Sequence, residues 1–84
     1  MVSVSSPVHK TLRQLQQGQQ AVIDRFSDQQ LAGRLLAMGV LPGSSVRYIR
    51  DAPFGGGAYI QVDHFLMALR TEEAEMIILK EVEC

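Results

Sequence analysis

The sequence predicts a mainly β domain: a small, partly open barrel of about five short antiparallel strands, with one α-helix inserted after the first strand. Short runs rich in β-branched and aromatic residues recur along the chain, separated by glycine and proline clusters. Only one stretch, 28–38, has the spacing of an amphipathic helix. Strands this short leave edges to protect, and curling the sheet on itself protects them. Barrels of this size fill their interior with side chains, so an internal ligand pocket is not expected.

Residues 1–10 (MVSVSSPVHK) have no periodicity and read as a loose leader, with residues 11–84 as a single domain. A turn over 11–19 leads into strand one at 20–26 (QAVIDRF), which carries Val22, Ile23 and Phe26. Ser27 followed by Gln30 reads as a capping box, with Phe26 and Leu31 as its hydrophobic staple. The helix over 28–38 puts Leu31, Leu35 and Met38 on one apolar face, beside Ala32 and Leu36, and Met38 is expected in the core. Gly39 stands where a left-handed helix end is wanted, and Pro42 prevents continuation.

Pro42-Gly43 is a turn signal. Strand two follows at 45–50 (SVRYIR), where Ile49 breaks the alternation. Gly55-Gly56-Gly57 then marks a hairpin that twists sharply or approaches another backbone closely. Strand three (58–63) places Ala58, Ile60 and Val62 on one face, and strand four (64–70) places Phe65, Met67 and Leu69 on one face. Thr71 is expected to cap a single helical turn, whose Glu72 and Glu73 suit a helix N-terminus. Residues 76–82 (MIILKEV) close the fold as a last strand.

Composition narrows the function. The net charge of −1 argues against a nucleic-acid binder. The lone Cys84 excludes a disulfide framework and fits a reducing compartment. No apolar run approaches a membrane span, and the N-terminus lacks the pattern of a signal peptide, so the expectation is a cytoplasmic protein. The glycine run lacks the Lys-Ser/Thr ending of a phosphate loop, and no nucleophile stands beside a base in a catalytic motif. An enzyme is therefore not expected. Asp63 and His64 are candidates for a weak divalent transition-metal site; Glu81 and Cys84 are the only other loose ligands. Phe54, Leu66 and Tyr59 lie outside the core face, and Arg70 ends an apolar strand. Phe54, Leu66 and Arg70 are the candidate partner-binding residues.

Leu36-Ala37-Met38-Gly39-Val40-Leu41-Pro42-Gly43, Ala52-Pro53-Phe54-Gly55-Gly56, Ala68-Leu69-Arg70, Glu73-Ala74 and Ile77 together give a sequence that resembles the ferrous iron transport protein A (FeoA) family over about 31–82. The resemblance implies an SH3-like β-barrel with a helical insertion, acting as a cytoplasmic accessory of bacterial ferrous iron uptake. The partner it implies is the large membrane permease with a GTP-binding domain, at its cytoplasmic side. The same domain type closes the iron- and manganese-dependent repressors, which keeps open a metal-binding or metal-sensing module as the alternative. Where many members carry proline after Gly56, this chain has Gly57, so a freer hairpin tip is expected.

Overall fold

The computed structural model describes residues 10–83, with side chains through residue 80. Residues 1–9 of the leader, His9 among them, and Cys84 lie outside the described residues, as does the side chain of Glu81. Five strands, β1 (Gln20–Phe26), β2 (Ser45–Asp51), β3 (Ala58–Val62), β4 (Phe65–Leu69) and β5 (Ile77–Glu83), form one antiparallel sheet in the order β4-β3-β2-β1-β5. Helix α1 (Gln29–Ala37) follows β1, and the single turn α2 (Thr71–Ala74) joins β4 to β5. This is the expected strand order, with strand one at the expected bounds.

The sheet folds over one core. Inward residues from the central strands (Ile23, Val46, Ile60, Val62) share a buried cluster with Leu69 of β4 and with Ile77 and Leu79 of β5. Extra residues bend the ladders: Asp24 and Lys80 interrupt the β1–β5 register, and Ile49 interrupts β2–β3. Leu12, in a 3₁₀ turn at Leu12–Gln14, and Leu15 close the core from the N-terminal side.

The helix starts one residue later than expected. Asp28, not Ser27, is the N-cap: its Oδ2 accepts from the Leu31 amide at 2.9 Å. The Ser27 hydroxyl instead donates to the Met76 carbonyl, joining β1 to the start of β5. The capping box and the Phe26–Leu31 staple therefore do not form in the expected frame. Leu31 and Leu35 are buried as expected, but Met38 is 49% exposed and Leu36 more so. The helix end explains Met38. Gly39 takes φ 91°, the Gly39 amide donates to Leu36 and the Val40 amide to Leu35 at 2.8 Å. That Schellman turn drives Val40 into the core in place of Met38.

Leu41-Pro42-Gly43-Ser44 is a tight turn, closed by the Ser44 amide donating to Leu41 at 2.9 Å, with Gly43 at φ 96°. It is tied to β1 by Gly43 N–H to the Ile23 carbonyl and Ile23 N–H to the Ser44 carbonyl. Arg70 rather than Thr71 occupies the N-cap of α2, and Glu73 Oε1 accepts from the Arg70 amide at 2.9 Å. A carboxylate reaching back to the backbone here takes the place of the expected threonine cap.

Candidate interaction face

The bulge at Ile49 decides what β2 shows to solvent. Val46, Tyr48 and Asp51 pair with Val62, Ile60 and Ala58, the inward-facing residues of β3. Arg47 and Arg50 pair with Gln61 and Tyr59, which face outward. Two guanidinium groups three residues apart thus share one face, which simple alternation would not allow. β4 extends both rows: Leu66 lies opposite Gln61, and Ala68 opposite Tyr59. Leu66 is 71% exposed. Arg50 stacks on Tyr59, its Cζ 5.1 Å from the ring centroid. Arg47 donates to Gln20 Oε1. Within β2, β3 and β4 these two rows contain no carboxylate.

Arg70 follows at the end of β4. It lines a cleft of about 480 Å³ with Arg34 of α1, Gly56 of the hairpin tip, Ala68, Leu69 and Glu73. Arg34 is held by Glu73 at 2.7 Å. The Arg70 guanidinium makes no hydrogen bond or ion pair among the described residues. The Glu73 carboxyl is held below its ordinary pKa, first by the Arg70 backbone amide and then, against the opposing effect of burial, by Arg34.

Phe54 stands fully exposed at the tip, in the left-handed region at φ 60° and ψ 29°. The base of the tip is fixed by Ala52 N–H to the Gly57 carbonyl at 2.9 Å. Gly57 itself has φ 122°, and a Cβ there would come within 1.9 Å of the Leu69 carbonyl oxygen. The expected freedom at Gly57 is thus replaced by a close backbone approach. Proline, fixed near φ −65°, does not fit that conformation.

Leu66, Ala68 and Arg70 therefore form one line running into the cleft, with Phe54 on the tip that carries Gly56. Asp63 and His64 lie at the other end of the β3–β4 hairpin, as its two-residue turn, with Asp63 at φ 52°. Among the described residues no three of His, Cys, Asp and Glu gather into a ligand set.

A second cleft, of about 650 Å³, lies between the 3₁₀ turn, the hairpin tip and α2, where Arg13, Tyr48, Asp51 and Thr71 line it. The Tyr48 hydroxyl donates to Asp51 Oδ1. Burial, and then this bond and the Asp51 charge, push the Tyr48 pKa up to about 12. Arg13 is paired with Glu75 at 2.8 Å. Sequence reasoning missed this pair. Its signal is Tyr48 and Asp51 three apart across Ile49, which meet only because the bulge returns Asp51 to the inner face.

The FeoA domain model matches residues 10–81. The chain belongs to the FeoA family. Its fold matches the crystal structure of a zinc complex of FeoA from Stenotrophomonas maltophilia, at 30% identity and TM-score 0.75, covering 88% of this chain and 95% of that one. That protein is described as a prokaryotic SH3 domain protein and a candidate activating factor for ferrous iron transport. The solution structure of FeoA from Chlorobium tepidum matches at 25% identity and TM-score 0.77, covering 83% of this chain and 68% of that one. A manganese-dependent transcriptional repressor shares the fold at 21% identity and TM-score 0.77, with 92% of this chain matching 38% of the repressor. The barrel is accordingly SH3-like. Among the described residues of this FeoA domain, no helix is long and apolar enough to cross a membrane.

Proposed function

We propose that this FeoA protein is a non-enzymatic accessory of ferrous iron uptake that docks on the cytoplasmic side of the GTP-binding ferrous iron permease. The observation carrying this reading is the line of Leu66, Ala68 and Arg70, an apolar strip ending in a guanidinium that makes no ion pair among the described residues, beside a cleft. Exposed apolar residues bordered by arginine are what a protein contact uses. Family membership and the description of the Stenotrophomonas protein supply the transport context. The test is capture of the detergent-solubilised permease by the wild type and by Phe54→Ala and Arg70→Ala, each with a circular dichroism control for folding. Binding that either substitution weakens supports the reading; a permease that ignores the wild type, with and without nucleotide, overturns it.

The zinc complex of the Stenotrophomonas protein favours one second reading, direct metal binding. Asp63 and His64 are the residues it would use, completed by water or by a second chain. Calorimetric titration of wild type and His64→Ala with Zn²⁺, Fe²⁺ and Mn²⁺ decides it. Heat that the substitution removes supports the site, and absence of heat at micromolar protein removes it.

A further inference from the structure

Among the described residues, the outer edge of β4 is a free strand edge. Val62 and Phe65 flank a two-residue turn and so form a hydrogen-bonded pair. Alternation makes Ile60–Met67 and Ala58–Leu69 the other bonded pairs, and Asp63 N–H to the Ser45 carbonyl at 3.1 Å follows the same alternation in the next ladder. The amide and carbonyl of Leu66 and of Ala68 therefore point away from β3. Neither residue makes another backbone bond among the described residues. The strand FLMAL has no charge, proline or bulge to blunt this edge.

We infer that β4 takes up an extended, acidic segment of a partner protein as a sixth strand. Its backbone bonds run to Leu66 and Ala68, its apolar side chains cover Leu66, and its carboxylates face Arg70 and the arginine rows. Charge selects this occupant. Arg47, Arg50 and Arg70 share the outward side of β2–β4, where the rows within these three strands hold no Asp or Glu; acidic residues come in farther off, with Glu83 of β5 across Gln20 and with Glu73 of α2. A second copy is the poorer occupant. Antiparallel self-pairing centred on Met67 sets His64 opposite Arg70 and brings together two strands that each lack carboxylates. Strand addition takes affinity from the main chain and specificity from alternate side chains, which suits an edge this short. The inference rests on the partner reading above and specifies its mode of contact.

The test uses the full chain and two short synthetic peptides, one alternating glutamate with valine and one alternating lysine with valine. The glutamate peptide is expected to bind and to slow hydrogen exchange at the Leu66 and Ala68 amides, and the lysine peptide to do neither. Ala68→Pro removes an outward amide without touching the β3 ladder. It is expected to weaken the glutamate peptide by about tenfold or more, the worth of one or two backbone hydrogen bonds. Ala68→Ser, which keeps the amide, is expected to recover most of the binding that Ala68→Pro loses. Lack of binding, unchanged exchange at Leu66 and Ala68 in the bound wild type, or slow exchange there caused by self-association would overturn the proposal. Permease that binds while these amides stay unprotected would overturn strand addition and leave the partner reading standing. Peptide addition by a chain that ignores the permease would do the reverse.

Discussion

Along β5 the sheet's outer edge is occupied: the Leu79 amide donates to the Lys10 carbonyl at 2.8 Å, and Thr11 bridges to Ile78. Leu12, completely buried, anchors this short segment. Along β4 nothing comparable lies over the edge among the described residues, and Leu66 stands in solvent beside outward backbone groups. The edge strand β5 carries Lys80, Glu81 and Glu83 and is sealed by the chain itself, whereas the wholly apolar β4 is left available among the described residues. A small barrel needs all the burial it can find. Leaving one edge open while tying down the other marks β4 as the side where intermolecular contact costs least to form.

The contrast can be broken most severely at the sealed edge. Leu12→Ala removes a completely buried side chain and is expected to cost about 2–5 kcal/mol in urea unfolding, with faster amide exchange along β5. The C-terminal end of β4 is tested by Gly57→Ala. Its φ of 122° and the 1.9 Å approach to the Leu69 carbonyl predict a loss of about 1–3 kcal/mol from backbone strain, or more if β4 must shift, read from the same transition.

Glu73 sharpens the comparison through pH. Its folded-state pKa lies below the unfolded value, so its stabilisation is fully present above the ordinary carboxylate range. It is lost as pH falls through that range toward the depressed folded value. Glu73→Gln is expected to flatten this acid limb in melting temperature against pH; an unchanged limb would mean that the carboxylate does not hold α2 against the end of β4. The smallest effect belongs to Leu66→Lys. On an exposed edge position it should change stability by no more than about 0.5 kcal/mol, because nothing packs there for the barrel's own sake. A large loss in thermal melting would show that Leu66 serves the core.

Much of this was legible in the sequence. Alternation placed Ala58, Ile60 and Val62 inward, and Gly39 marked the helix end, because period and positive φ are local properties. The caps were read one residue off. Ser27 and Asp28 are both good caps, and the choice depends on Ser27 finding the Met76 carbonyl from a distant strand. Met38 follows the helical period, yet the chain has already begun to turn there, and Val40 takes the buried position. At the candidate face, Leu66 and Arg70 were visible as apolar and charged residues outside the core face. Their alignment with Arg47 and Arg50 was not, since it depends on where the β2–β3 register slips.

That slip has a consequence of its own. Ile49 works as a phase marker: the residues before it are read in one phase of the pleat and those after it in the other. An insertion or deletion between Val46 and Tyr48 would turn every later side chain through the sheet, sending Arg50 to the inner side and Asp51 away from it. Removing Ile49 itself would leave Arg50 outside and Asp51 inside, only straightening the strand. The residue that β2 can lose without inverting the message is the one that looks, in sequence, like an error in it.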